Sequence, residues 1–336
     1  MRSKSVIISV LLILFPVLLG FGALLIGRYG VDSDETVRAI WSLITGNQSG
    51  LASKEALIIT EIRLPRIIAA LSVGASLAVS GASFQGLFCN PLVNSGILGV
   101  SAGAGFGAAL SIILFGQGSM TFVLAFAFGC LAVGMSYLAG RAYGTTSAIM
   151  LVLGGTVVSS IFGALISFTK YIADPYNQLP AITYWLLGSL ASVGTRELLP
   201  ASVPMAVGIV GLFVLRWRLN ILSMGDLEAQ TLGINVRITK GAVVAFATLA
   251  TAGAVCISGI VGWIGLIIPH MVRMTLGSDN RIVIPASLSL GAGFLVIVDT
   301  ISRTMTATEI PLGILTALLG GPFFIFLLKK TKGGGW

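Results

Sequence analysis

The chain has 336 residues, of which 56% are hydrophobic and only 10% are charged, whereas an average soluble domain carries about 25% charged residues. This composition excludes an ordinary soluble enzyme and favours a bundle of membrane-spanning helices. The formal net charge is +8, but no run of Lys and Arg is longer than a pair, so nucleic acid is not an expected partner. The positive charge instead fits the excess of Lys and Arg in the cytoplasmic loops of membrane proteins.

Ten apolar segments approach the length of about 20 residues that a helix needs to cross a bilayer. They are residues 5–27, 61–82, 93–115, 119–140, 147–169, 199–217, 238–259, 262–277, 282–302 and 308–328. The first segment is longer than the apolar part of a signal peptide and has no typical cleavage site, so we expect it to remain as a span. The sequence therefore predicts an all-α integral membrane protein, a single transmembrane domain over residues 1–336 with about ten transmembrane helices.

An even number of spans places both termini on the same side of the membrane. With the termini inside, twelve of the 20 Lys and Arg residues lie on the cytoplasmic side and eight lie outside. This asymmetry follows the positive-inside rule and predicts a multi-pass protein with both termini cytoplasmic.

Small residues repeat in the third predicted span, where Gly99, Gly103 and Gly107 are spaced by four. Such spacing puts small residues on one face of a helix and lets two helix backbones approach closely in lipid. The sequence therefore predicts dense packing of this helix against a neighbour.

Several kinds of chemistry lack their motifs. There is no Gly-Lys pair and so no P-loop, which means that the chain does not hydrolyse ATP by itself. Cys89, Cys130 and Cys256 have neither disulfide nor zinc spacing, and we expect no metal and no cofactor. The single histidine, His270, is expected to be a structural group.

Two alternatives remain open at this point. A secondary transporter or channel is one, although such a protein usually keeps carboxylates within its spans for ion coupling, and few lie there. The other is an intramembrane serine hydrolase, because Gly99-Val100-Ser101-Ala102-Gly103 matches G-x-S-x-G and His270 could activate the serine. That motif requires a strand, a sharp turn and a helix.

Residues 218–240 form the longest polar cytoplasmic stretch between spans. Ser223 followed by Asp226 has the form of a capping box at a helix start, and Gly233 suits the left-handed residue after a helix end. Asn235 is expected to cap a second short helix. With Met224 and Leu227 on one face of the first helix, the segment is predicted to dock a partner. The alternative is a solvated connector.

Motifs in both halves of the chain resemble those of one family. They are Glu61-Ile62-Arg63-Leu64-Pro65-Arg66, Gly74 to Gly81, Phe84-Gln85, Asn90-Pro91-Leu92, Leu98-Gly99, Gly265-Leu266-Ile267-Ile268-Pro269-His270, Asp299 with Arg303, and Glu309-Ile310-Pro311-Leu312-Gly313. Over residues 55–330 the chain resembles the FecCD-like permeases, the membrane subunits of ABC importers for iron-siderophores, haem, cobalamin and related metal chelates. Cys89 departs from the Arg that many members carry before Asn-Pro-Leu.

The resemblance implies a type II ABC importer permease fold in a bacterial or archaeal cytoplasmic membrane. It also implies that a second copy of the chain, two separate ATPase subunits and a soluble or lipid-anchored binding protein are partners, besides membrane lipid. The substrate stays open among siderophore, haem, cobalamin and related metal-containing anions. The tail at residues 333–336 matches nothing in the family and is predicted to be flexible.

The resemblance also assigns roles to individual residues. Docking of the binding protein is implied for three outer arginines, Arg63, Arg66 and Arg303. Coupling to the ATPase subunits is implied for the segment at 218–240, with Met224, Asp226, Leu227, Glu228 and Gly233. The fifth helix is expected to line the pathway with Ser159, Ser160 and Ser167, and the inner gate is expected at Thr145, Thr146 and Ser147.

Overall fold

The computed structural model describes residues 2–45, 53–140 and 148–330, which are helical apart from short connections. The helices are α1 Arg2–Leu25, α2 Ser33–Thr45, α3 Lys54–Leu57, α4 Leu64–Phe88, α5 Val100–Phe115, α6 Ser119–Gly140, α7 Ala148–Ile172, α8 Gln178–Leu187, α9 Thr195–Leu222, α10 Asp226–Thr231, α11 Val236–Ser258, α12 Ile264–Leu276, α13 Asn280–Thr304 and α14 Leu312–Lys330. A π-helical turn, Ile58–Arg63, joins α3 to α4 without a break. The predicted gate at 145–147 and the predicted flexible tail at 333–336 lie outside the described residues.

Each of the ten predicted spans overlaps one helix, and the described residues contain six helices that are long and apolar enough to cross a membrane. The six are Lys54–Phe88, Ser119–Gly140, Ala148–Ile172, Thr195–Leu222, Val236–Ser258 and Asn280–Thr304. The other four apolar helices have 10 to 17 residues in their apolar parts. An all-helical, multi-pass architecture is thus confirmed, and ten crossings remain a prediction.

Helix α4 lies at the centre of the bundle and packs against α1, α9, α11, α12 and α13. Glycines allow this: a Cβ atom on Gly81 would lie 1.9 Å from the carbonyl oxygen of Gly265, and one on Gly74 would lie 2.2 Å from that of Gly291. In the most apolar stretch of the continuous helix Lys54–Phe88, which contains α4, 83% of the residues are buried. The corresponding share is 28% in α6 and in α7. Helices α6 and α7 therefore present most of their surface outward.

The predicted close packing of the third span is confirmed for two of its three glycines. A Cβ atom would lie 2.3 Å from the Phe128 oxygen at Gly103 and 2.2 Å from the Leu124 oxygen at Gly107, so both press against α6. Gly99 was expected on the same helix face, but it precedes α5 and has a φ of 87°. It serves as a left-handed turn residue, a conformation that a residue without a Cβ adopts readily.

The ends of the spans differ from the predicted ones because polar groups, not apolar length, decide them. Helix α4 extends to Phe88, six residues beyond the predicted end, and α5 begins only at Val100. Between them, Asn90 Oδ1 accepts the Leu92 N–H and Asn94 Oδ1 accepts the Gly96 N–H. These side-chain bonds hold turns where the apolar sequence alone predicted helix.

Candidate functional site

A cluster of charged side chains lies on the predicted outer side, where α4 begins and α13 ends. The Arg66 guanidinium on α4 contacts the Asp299 carboxylate on α13 at 2.9–3.0 Å and the Glu309 carboxylate at 2.8–2.9 Å. The side chain of Asp299 is 2% exposed and that of Glu309 is 22% exposed. Arg66 is therefore held by two carboxylates of its own chain, one buried and one at the rim.

The neighbouring arginines fasten α1 to the same cluster. Arg63 Nη1 donates to the Leu24 carbonyl at 2.6 Å, and Arg303 Nη2 donates to the Ala23 carbonyl. Arg303 Nε also lies 3.9 Å from Asp299. The last carbonyls of a helix have no partner within the helix, so these two cations satisfy the C-terminal end of α1.

All three arginines predicted to dock a binding protein are thus brought to the same end of the bundle, but their side chains are engaged within the chain. Arg63, Arg66 and Arg303 are only 4%, 7% and 7% exposed. The docking role stays a prediction, and the observed role is to hold α1, α4 and α13 together. Sequence analysis used Asp299 only as a family motif with Arg303 and gave it no role, although a carboxylate inside an apolar helix is a signal of an ionic partner.

Glu309 lies in the connection between α13 and α14, outside the spanning helices. Burial by itself would raise the pKa of the Glu309 carboxyl, but the hydrogen bonds and charge of Arg66 outweigh it and lower this pKa below its usual value. The carboxylate is consequently ionised at neutral pH and keeps its contact with Arg66.

On the predicted cytoplasmic side, the short helix α10 connects the end of α9 to the start of α11, with only a few residues between the helices. Ser223 was predicted to start α10, but it ends α9, and its hydroxyl donates to the carbonyls of Gly86 and Leu219. The residue before α10 is instead Gly225 with a φ of 123°. The predicted capping box is wrong because α9 continues into the polar stretch as far as Leu222, so that Ser223 caps the end of α9.

The end of α10 agrees with the sequence. Gly233 has a φ of 79° and donates to the Gln230 carbonyl, while Ile234 donates to the Ala229 carbonyl. This pair of bonds is the Schellman arrangement of a helix C-terminus. Asn235 Oδ1 accepts the Ile238 N–H at 3.1 Å, but the helix that it caps is the span α11 itself and not a separate short helix.

Helix α10 is fixed on one side and exposed on the other. Asp226 forms an ion pair with Lys240 of α11 at 2.7 Å, and Ala229 is fully buried. Met224 was predicted to lie on a face of this helix but precedes it, because the helix begins at Asp226. Met224 and Leu227 are 63% and 75% exposed, and Glu228 is also exposed. Exposed apolar side chains on a firmly held polar segment are typical of an interaction site.

The three serines predicted to line a pathway lie on α7. Ser160 and Ser167 are exposed and donate to the Thr156 and Gly163 carbonyls of their own helix, and Ser159 is half-buried. Exposed Thr156 extends this polar stripe one turn toward the predicted cytoplasmic end. Sequence reasoning missed Thr156, although its spacing of four from Ser160 was a usable signal.

The elements of the serine-hydrolase alternative do not form its motif. Ser101 lies in the first turn of α5 after the left-handed Gly99, and the described ranges contain no strand to build a nucleophile turn. His270 is buried in α12, with its ring 6.2 Å from that of Phe324. Within the same ranges, no three side chains of His, Cys, Asp or Glu group so that they could hold a metal ion.

Comparisons with known proteins agree with this architecture. The profile of the FecCD transport family matches residues 12–330. The chain is 39% identical to the molybdate import system permease protein of Haemophilus influenzae, over 92% of this chain and 91% of that protein. It is also 39% identical to the cobalamin import system permease protein of Halobacterium salinarum, over 85% and 77% of the two chains.

A solved structure described as an inward-facing conformation of a metal-chelate type ABC transporter has the same fold. It superposes with a TM-score of 0.85 and 35% sequence identity, covering 96% of this chain and 99% of the other.

Proposed function

Because this chain belongs to the FecCD transport family and is a membrane-embedded permease of an ABC importer, we propose that it forms the homodimeric pathway for a metal chelate or a related metal-containing anion. Two separate ATPase subunits drive it from the cytoplasmic side, and a soluble or lipid-anchored binding protein delivers the substrate from outside. The permease lies in a bacterial or archaeal cytoplasmic membrane with both termini inside.

One observation carries the coupling part of this proposal: α10 is held by contacts with its neighbours, while Leu227 in it and Met224 just before it are exposed. The chain has no P-loop, so the energy of ATP must reach it through a contact with another subunit. A structured element that joins directly to spanning helices can transmit such motion. Helix α10 follows α9 at its start and leads into α11 at its end. Met224 and Leu227 are the contact groups, and Gly233 sets the turn into α11.

The structure does not favour the two alternatives, a secondary transporter or channel and a serine hydrolase. Asp299 is a carboxylate within a spanning helix, as a secondary transporter would need, but its oxygens are engaged by Arg66 and it lies at the helix end. The family assignment likewise gives a permease and not a hydrolase.

Reconstituted vesicles test the function. Vesicles that contain the permease, its ATPase subunits and its binding protein should accumulate substrate only with ATP, because the permease alone has no energy source. The substrates to compare are molybdate, a ferric siderophore, haem and cobalamin. Uptake without ATP, or uptake driven by a proton or sodium gradient, would contradict the importer.

We further propose that the polar stripe of α7 faces the pathway between two copies of the chain. Ser160→Cys should be labelled by a water-soluble maleimide, with a rate that changes when ATP is trapped on the ATPase subunits. Val210→Cys is the matched control, since Val210 is 61% exposed on α9 and should face lipid. Equal and unchanging labelling at both positions would contradict the lining role.

Docking of the binding protein at the outer arginines remains part of the proposal. Its test must allow for the contacts that Arg66 makes with Asp299 and Glu309. A variant of Arg66 also leaves Asp299 without its main partner, so lost docking in such a variant would not separate docking from folding. Glu309 is the accessible member of the cluster, and a docking carboxylate would approach Arg66 beside it.

A further inference from the structure

A cleft on the surface of the helix bundle has no part in the proposed transport function. It lies between α6, α9 and α11 and has a volume of about 740 Å³, within the range of about 300–1,000 Å³ that is usual for ligand pockets. Its walls are mainly apolar, with Phe122 and Phe126 from α6, Val203 and Val207 from α9, and Leu249 from α11.

A second, more polar cavity of about 410 Å³ adjoins the apolar cleft at its predicted outer end. The two cavities share Ser119, Phe122, Glu197 and Ile257 in their walls, so they lie directly next to each other. Tyr184, Ser189 and Ser192 also line the polar cavity. From the apolar cleft to the neighbouring cavity, the lining therefore changes from mainly apolar to more polar.

The length of the apolar part corresponds to one leaflet. Arg196 and Val207 both line it, and the eleven residue steps between them span roughly 16 Å of helix at about 1.5 Å per residue. The hydrocarbon core of a bilayer is about 30 Å thick, so one leaflet takes up about half of that distance. The cleft thus begins at a charged pair and ends near the middle of the membrane.

The charged pair at the mouth has both signs. Arg196 is exposed, and the Glu197 carboxylate is fixed because its Oε2 accepts the Gly194 N–H at 3.0 Å. A guanidinium suits a phosphate, and a carboxylate suits a primary ammonium group. A ligand with both groups next to an apolar chain matches the order of the side chains along the cleft.

We propose that this cleft is a binding site for a phosphatidylethanolamine molecule of the outer leaflet. One acyl chain occupies the apolar cleft, the phosphate contacts Arg196, and the ammonium group contacts Glu197 beside the polar cavity. The inference needs only that α6, α9 and α11 span a bilayer, so it stands or falls separately from the importer function.

The test uses permease reconstituted in nanodiscs of equal parts phosphatidylethanolamine and phosphatidylglycerol, followed by native mass spectrometry of the retained lipid. Wild-type protein should retain phosphatidylethanolamine at least several-fold over phosphatidylglycerol. Val203→Trp, which fills the cleft, should lower that retention several-fold. Val210→Trp should not, because Val210 has the same 61% exposure on the same helix but lies outside the cleft.

A third variant tests the head group. Glu197→Gln keeps an oxygen for the Gly194 N–H but removes the charge, so it should keep lipid and lose the preference for phosphatidylethanolamine. Equal retention in Val203→Trp and Val210→Trp would overturn the site, and preferential retention of phosphatidylglycerol by the wild type would overturn the head-group assignment. Size-exclusion profiles of all variants verify that each is folded.

Discussion

We expect Asp299→Asn to destabilise the permease by about 3–5 kcal/mol, the cost of breaking a buried ion pair by removing one partner. Asp299 is 1% exposed and is the carboxylate that Arg66 and Arg303 share. Its loss leaves two buried guanidinium groups with less compensating charge and loosens the attachment of α13 to α4. Unfolding of the detergent-purified protein, followed by the loss of its size-exclusion peak with temperature, measures the effect.

Asp34→Asn is the matched control, because Asp34 is an exposed carboxylate in the first turn of α2. Exposed substitutions usually change stability by no more than about 0.5 kcal/mol. If the two variants unfolded at the same temperature, the cluster would not be holding these helices together.

The same cluster predicts a dependence of stability on pH. Because the folded-state pKa of Glu309 is lowered, its contribution to stability is complete above the unfolded pKa of about 4.3 and is lost as the pH falls through the folded pKa. Glu309→Gln lacks this contribution at every pH, so the stability of the wild type should fall toward that of the variant in acid. A constant difference between the two proteins from pH 7 to pH 3 would contradict this assignment.

The second large effect is expected at α10. Leu227→Asp should weaken binding of the ATPase subunits by about 2 kcal/mol or more, the usual cost of losing a central apolar contact, and should abolish stimulation of their ATP hydrolysis. The permease itself should stay folded, because Leu227 is 75% exposed. Co-purification of the subunits and their rate of ATP hydrolysis are the measurements.

Gln230→Asp serves as the control for this substitution. It introduces the same negative charge at an exposed position of the same helix but removes no apolar group. Retained coupling in Leu227→Asp, or equal loss in both variants, would refute an apolar contact at α10.

Gly233 allows the turn after α10 to be tested without any change in packing. A Cβ atom at this position would meet nothing within 4 Å, so Gly233→Val acts only through its φ of 79°, at a cost of roughly 1–2 kcal/mol. We expect weaker coupling in Gly233→Val and nearly normal coupling in Gly233→Asn, since Asn tolerates the left-handed region. Full coupling in the valine variant would show that the turn does not matter.

The sequence by itself was sufficient for features that depend on local composition and periodicity. Apolar length located the helices α6 and α11 to within two residues, and four-residue spacing identified Gly103 and Gly107 as close-packing residues, although not the helix that they contact. Gly233 and Asn235 were recognised because a left-handed turn and a helix cap need particular residue types at one position. The family motifs added the permease function.

Only the tertiary structure decided which charges meet and where the helices end. Arg66 and Asp299 are 233 residues apart in the chain, so no local pattern indicates that Arg66, a predicted docking group, is held by an internal carboxylate. Ser223 has the residue type of a helix start, but it caps the end of the preceding helix α9, and its hydroxyl donates to the Gly86 carbonyl near the end of α4. Contacts between distant segments compete with local preferences, and at these sites the distant contacts are stronger.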